Sequence, residues 1–498
     1  MNRKMISYIL GMVCRAEGLL LLLPCLASLY FREHEGYHYL LTAGIALFIS
    51  LILARKKPDN TMIFLREGCI ATALSWIVMS LIGCLPFVMT GEITNFVDAL
   101  FETISGFTTT GGSILSDVEA LSKTSLLWRS FTHWIGGMGV LVFVLAVVPL
   151  SGGSNINLMR AESPGPSVGK LVPKLSDTAK ILYFIYFLMT IAEMIFLAIG
   201  HMPAFDNICI SFGTAGTGGF AILNTGLATY TPYQQWVVTI FMILFGVNFN
   251  FYHFLLIRRF KKAFMMSEVR TYFIVIILSG LVIAINTYNT AEGVSATIRN
   301  SFFTVGSIIT TTGYSTVDFN LWPSLSKVIL VFLMFSGACA GSTGGGIKIS
   351  RLRILTKSVF REVNKYYHPR SVKKIKEDGE ILDEETVRSV GVYMCTFAVI
   401  FAISLFIVSF EGRSFETNFT AVAACINNIG PGLSDVGPTG NFGSFSIPSK
   451  IVLMIDMLAG RLELYPLILL LNPSVYIDRA GEVRAHFRKK RRLHKQDR

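Results

Sequence analysis

Ten stretches of this chain carry almost no charge, and this feature constrains the fold more than any other. A helix crossing a bilayer needs about 20 mostly apolar residues. Residues 70–90, 328–347 and 390–410 supply them without one charged side chain. Residues 130–159 carry only His133 and residues 230–257 only His253. Weaker stretches are 5–30 (with Arg15 and Glu17), 37–54, 182–200 (with Glu193), 272–288 and 450–471. The chain is 52% hydrophobic and 15% charged, against roughly 25% charged in ordinary soluble proteins. No water-soluble fold could hide that much apolar surface. The expectation is an all-α integral membrane protein with ten crossings.

Charge placement orients the crossings. With the N-terminus inside, segments 1–4, 55–67, 150–180, 256–270, 348–388 and 477–498 face inward and hold 35 of the 44 basic residues. Seven lie outside, and Arg15 and Arg461 fall within spans. That asymmetry is the positive-inside bias, and it predicts that both termini are cytoplasmic. The basic runs at 258–262 and 488–492 read as flanks touching anionic headgroups or a cytosolic partner, not as nucleic-acid sites. The eight cysteines show no CxxC, and the eight histidines no paired arrangement. Nothing suggests a zinc, redox or hydrolytic centre, and the chain is not expected to be an enzyme.

The informative feature lies between the spans. Four outside loops share one design: ALFETISGFTTTGGSIL from residue 99, NICISFGTAGTGGFAIL from 207, RNSFFTVGSIITTTGYSTVD from 299 and NFTAVAACINNIGPGLSDVG from 418. Each has an amphipathic segment too short to span, ending in a Thr/Asn-Gly element. Aligning the glycines pairs Gly111, Gly218, Gly313 and Gly430. Every unit reads span, short re-entrant helix, glycine loop, span, so all four enter the membrane in the same direction. The predicted architecture is four parallel repeats in a pseudo-fourfold arrangement around one pore, plus two additional N-terminal transmembrane helices. The units are 1–60 (two N-terminal helices), 61–160, 161–263, 264–376 and 377–478 (pore repeats one to four), and 479–498 (a basic cytoplasmic tail). An inverted-repeat transporter would need neighbouring units of opposite orientation.

The loop chemistry suits a cation. Non-helical backbone at membrane depth is tolerated only where it lines a water-filled path or is buried in protein. Successive carbonyl oxygens can replace an ion's hydration shell, and glycine permits backbone conformations closed to other residues. Each short helix aims its partly negative C-terminus at the pore centre. The filter elements contain no carboxylate ring, so a monovalent cation is expected. Asp98, Glu102, Asp206 and Glu416 lie in the re-entrant segments, as cation-enriching groups at the mouth or as solvated caps.

These residues resemble the TrkH/KtrB family of potassium-translocating subunits, and its TrkH branch in particular, over essentially the whole chain. The four filter elements carry the resemblance, with HWIGGMGV from residue 133, AESPGP from 161, SGACAGSTGGGIK from 336 and the two extra N-terminal spans. It implies potassium ion transport across the bacterial inner (plasma) membrane by a channel-like uptake subunit. The lining positions it implies are Thr109, Thr110 and Gly111; Gly216, Thr217 and Gly218; Thr311, Thr312 and Gly313; and Asn428, Ile429 and Gly430. It further implies a homodimer with one pore per protomer, and a cytosolic TrkA-like ring whose nucleotide, NAD(H) or ATP/ADP, sits on that partner. A sodium- or proton-coupled potassium symporter remains the alternative.

Two further features concern gating. Residues Gly341, Ser342, Thr343, Gly344, Gly345 and Gly346 interrupt a helix otherwise running from 328 towards 361; a phosphate loop would need lysine where Ile347 stands. By resemblance this is an intramembrane gate loop. Arg461 lies inside the last span, where a charge is costly enough to suggest function. The resemblance places it at the gate loop; an ion pair with Glu463 or Asp456 is the other reading. For Arg15, Glu17 and Glu193 a buried pair or an interfacial position is expected.

Overall fold

In lipid every backbone N–H and C=O has to be satisfied within its own segment, and the charge-poor stretches are accordingly helical. The computed structural model describes residues 1–60, 63–139, 175–290, 293–371 and 373–473. Six helical segments in it are long and apolar enough to cross a membrane: Arg3–Phe31, Gly36–Leu53, Leu65–Thr90, Lys180–Ile199, Ser267–Asn286 and Glu384–Glu411. The first two pack on Leu65–Gly83 through Met5, Ile9, Val13, Tyr39, Ala46 and Trp76. Arg15 and Glu17 do not pair: Arg15 Nε donates to Ser50 Oγ at 3.2 Å, while Glu17 is buried. Glu193 is also fully buried, beside Thr214 of the second short helix.

Each repeat has three parts: an outer span, a short pore helix and an inner helix. The pore helices are Phe96–Phe107, Ala204–Gly216, Val294–Ile309 and Phe415–Ile426. The inner helices begin at Lys123–Met138, Pro232–Phe245, Ser324–Ser336 and Ile447–Arg461. Every pore helix packs against the outer span and inner helix of its own repeat. It also packs against the inner helix of the preceding repeat, and the fourth inner helix returns to the first pore helix. The packing therefore closes into a ring of four equivalent units.

The inner helices depart from the sequence expectation. Residues 230–257 and 450–471 read as continuous spans, and only the third repeat was expected to be broken. Instead Pro232–Phe245 meets Phe249–Leu256 at 91°, and Ile447–Arg461 stops before Tyr465–Leu471, where Glu463 and Leu464 take positive φ. The longest of the four unbroken first segments has 16 residues, about 24 Å at 1.5 Å per residue, short of a roughly 30 Å hydrocarbon core. Lys123–Met138 ends at Gly139, φ 80°. The rest of the expected span 130–159, the inside segment 150–180 up to residue 174, the 161–166 motif and the basic tail 479–498 lie outside the described residues.

Candidate ion pathway

The four pore helices end in the same way. The amide of Thr109 bonds back to Gly106 O (3.1 Å) and that of Thr110 to Ser105 O (2.8 Å). Thr217 and Gly218 repeat this onto Thr214 and Gly213, Thr311 and Thr312 onto Ile308 and Ser307, and Asn428 and Ile429 onto Cys425 and Ala424. This is the Schellman closure, normally capped by glycine because its capping residue is left-handed. Here the capping residues are Thr109, Thr217, Thr311 and Asn428, with φ between 54° and 59°. A β-branched residue in that region is a genuine outlier, costing about 1–3 kcal/mol. Three such threonines at equivalent points, with the more tolerant Asn428 at the fourth, indicate that the surrounding structure enforces the conformation.

Two residues after each cap stands a glycine of positive φ: Gly111, Gly219, Gly313 and Gly430. A methyl group on Gly111 would meet the carbonyl of Gly218, one on Gly219 that of Thr312, one on Gly313 that of Ile429, and one on Gly430 that of Thr110. The contacts run from element one to two, two to three, three to four and four to one. No side chain larger than hydrogen fits at any of the four. All four glycines open onto one vestibule of about 150 Å³, with Ser113, Ala221, Tyr314 and Pro431.

This geometry moves the second element by one residue. The glycine alignment pairs Gly218 with Gly111, whereas caps, φ values and carbonyl contacts pair Gly219 with Gly111, Gly313 and Gly430. The equivalent triplet is Thr217, Gly218 and Gly219, and Gly216 is the last residue of the pore helix. Thr109–Gly111, Thr311–Gly313 and Asn428–Gly430 lie in the ring as aligned.

Polar side chains hold the loops from behind. Arg129 Nε and Nη2 donate to Glu102 Oε1 at 2.8 and 2.6 Å, and Nη1 donates to Ala221 O of the second loop at 3.2 Å. The Arg129 guanidinium lies over the Phe220 ring, 4.1 Å from its centroid. Glu102 also accepts from Ser113 Oγ (2.9 Å) and the Ile114 amide (3.0 Å) of the first loop. Carboxylate and guanidinium are 1% and 2% exposed, so Glu102 is a brace between two loops, not a group at the mouth. His133 joins the same loops. Its Nδ1–H donates to Gly106 O at 2.8 Å and its Nε2 accepts from the Phe220 amide at 3.2 Å, the tautomer that these partners require. Asp98 accepts from Lys450 (2.6 Å), Asp206 from Tyr230 (3.0 Å), and Glu416 pairs with Lys327 at 3.8 Å. All three stand in the first turn of a pore helix, where the helix dipole favours an anion.

On the side of the ring formed by the caps, the chain between Ser336 and Ile349 leaves helical geometry. Gly337, Gly341 and Gly346 take positive φ. The Gly345 amide donates to Thr311 Oγ1 at 2.6 Å, and a methyl group on Gly345 would meet Asn427 O and Asn428 Cβ. One on Gly344 would meet Thr310 O. Ser342 Oγ bonds to Cys339 O (2.6 Å) and Thr343 Oγ1 to Phe245 O (3.2 Å). Arg461 Nη1 donates to Thr343 O (2.9 Å) and Thr109 Oγ1 (3.3 Å), and Nη2 to the carbonyls of Gly136 and Gly137. Glu463 is engaged by Arg351 and Asp456 by Ser404. Lys348, fully buried, reaches Gly344 O. Residues 341–346 and Arg461 thus meet directly beneath the ring. Sequence reading missed both roles: Lys348 counts there with the inside segment 348–388 and Arg129 with the outside charges, and their burial comes only from the fold.

The chain matches the TrkH family model, a cation transport protein, over residues 41–477. It is 34% identical over 487 residues to the Trk system potassium uptake protein TrkH of Salmonella typhimurium, covering 96% of this chain and all of that one. To Trk system potassium uptake protein TrkG of Escherichia coli it is 31% identical over 476 residues, covering 94% and 98%. Its structure superimposes on the crystal structure of the potassium transporter TrkH from Vibrio parahaemolyticus with a TM-score of 0.85 at 30% identity, covering 96% of this chain and all of that one. On fold and full-length similarity alike, the chain belongs to the TrkH family of cation transport proteins.

Proposed function

We propose that this chain carries potassium across the bacterial inner membrane, in single file through the four-element ring. The observation that carries the reading is the cyclic contact of Gly111, Gly219, Gly313 and Gly430 with the carbonyls of Gly218, Thr312, Ile429 and Thr110. A closed ring of backbone carbonyls is chemistry that replaces a hydration shell for a monovalent cation. The lining set is Thr109, Thr110 and Gly111; Thr217, Gly218 and Gly219; Thr311, Thr312 and Gly313; and Asn428, Ile429 and Gly430. Full-length similarity to proteins named for potassium uptake supports the choice of ion.

Residues 341–346 are the gate, and Arg461 holds it shut through Thr343 O. Opening withdraws Gly344 and Gly345 from Thr310, Thr311 and Asn428. A cytosolic nucleotide-binding ring of the TrkA type biases that motion through the basic inner surface, mainly 348–388, with both termini cytoplasmic and two chains forming a homodimer. Radioactive rubidium uptake into proteoliposomes tests the reading. Uptake competed by potassium and not by equimolar sodium supports it; no uptake, or equal competition by sodium, overturns it. A zero-current potential that follows the potassium gradient alone distinguishes a channel from a sodium- or proton-coupled symporter.

A further inference from the structure

A second cavity, of about 400 Å³, lies between repeats two and three and shares no lining residue with the vestibule. Its lining is chemically two-ended. Gln235 donates through Nε2 to the carbonyls of Leu227, Ala228 and Tyr230, at 2.9, 3.4 and 3.1 Å. Those three acceptors fix the amide orientation and, among the described residues, leave Oε1 as a buried acceptor without a donor. Thr316 Oγ1, also lining the cavity, is buried and unpartnered as well. Gln235 is 4% and Thr316 7% exposed. Arg299 presents the opposite need: its Nε is buried without an acceptor, and its guanidinium makes no ion pair among the described residues. Asp318 lines the same cavity, and among the described residues its carboxylate takes only the Asn320 amide, at 3.0 Å. Arg299 and Asp318 do not pair with each other.

A buried polar atom without a partner loses its hydration and gains nothing in exchange. A cavity that holds unmet acceptors and an unmet cation fits a ligand carrying both an ammonium and an oxyanion. We propose that this cavity binds the phosphoethanolamine headgroup of a membrane lipid. The phosphate lies on Arg299 and Asn300, and the primary ammonium donates to Asp318, Gln235 Oε1 and Thr316 Oγ1. A lipid source fits the rim. Leu321, which lines the cavity, is 80% exposed, and Val294 and Ile298 present exposed apolar side chains on the adjoining helix. Trp322 is buried in the wall, and tryptophan is enriched at the membrane–water boundary.

The test uses the purified full-length chain in detergent, with thermal unfolding as readout. Phosphatidylethanolamine raises the unfolding midpoint by about 2–4 °C. Phosphatidylcholine, whose trimethylated nitrogen has no N–H, and phosphatidylglycerol, which has no ammonium, each give less than half that rise. Arg299→Gln and Asp318→Asn both abolish the difference between lipids while retaining rubidium uptake, which shows that the variants are folded. Should either variant fail to fold, Thr316→Val, with a smaller loss of discrimination, takes its place. Equal rises from all three lipids, or discrimination undiminished in the variants, overturn the proposal. So does an equal rise from soluble glycerophosphoethanolamine, which would assign the cavity to a free zwitterion.

Discussion

The buried Glu102–Arg129 pair yields a prediction whose size follows from its surroundings. Glu102→Gln keeps the shape of the side chain and removes its charge. Arg129 is then left ionised and buried, with the neutral amide oxygen, Ala221 O, Ser113 Oγ and the Phe220 face as its partners and no counter-charge. Removing one member of a buried ion pair costs about 3–5 kcal/mol, because the other is stranded out of water. The amide oxygen of glutamine retains one of the two Arg129 bonds, which puts Glu102→Gln near the lower bound, about 3 kcal/mol. Arg129→Met strands the carboxylate and also deprives Ala221 O of its donor, an addition of about 1–3 kcal/mol. The double variant strands no charge, so its cost falls short of the sum by about 2 kcal/mol or more, a coupling expected only for groups in contact. The pair also positions Ile114 and Ala221, which flank two of the four filter elements. Loosening them lowers the preference for potassium over sodium by about tenfold, the equivalent of about 1.4 kcal/mol. Unfolding in detergent measures the first quantity, and rubidium uptake with sodium competition the second. Single costs below about 1 kcal/mol that simply add would show that Glu102 and Arg129 are not a coupled buried pair.

Two further outcomes follow from the ring and the loop beneath it. Gly219→Ala forces a methyl group onto the Thr312 carbonyl and abolishes uptake, whereas Gly44→Ala, where nothing lies within 4 Å, leaves uptake unchanged; both are read by rubidium flux in proteoliposomes. Arg461→Gln removes the charge-assisted bonds to Thr343 and Gly137 carbonyls, about 1.5–3 kcal/mol each. It therefore raises the open fraction and the uptake rate without changing the potassium-to-sodium ratio, and a changed ratio would show that Arg461 shapes the filter itself.

What the sequence makes legible follows from where physics leaves the chain no choice. Outer spans such as 267–286 and 384–408 are long and apolar because lipid demands it, and they stand almost where charge counting puts them. The inner helices are equally apolar, yet they turn at Gly246–Asn248 and at 462–464. Those turns depend on packing beneath the ring, which hydropathy does not record. The second filter element shows the same limit. Within Gly216-Thr217-Gly218-Gly219 three glycines compete for one position, and the arbiter is the left-handed Thr217, a conformation that its β-branched side chain disfavours. Glu102 and Arg129 stand 27 residues apart, each readable alone as a mouth or flanking charge. Only the fold brings them together.

If a cation passes through the four-element ring, anomalous scattering from crystals of this chain grown in rubidium will locate it there. Density is expected on the axis among the carbonyls of Thr110, Gly218, Thr312 and Ile429, displaced by potassium and not by an equal concentration of sodium. Rubidium density only elsewhere in the protein, or density at the ring displaced equally by both ions, would contradict potassium passage through the ring.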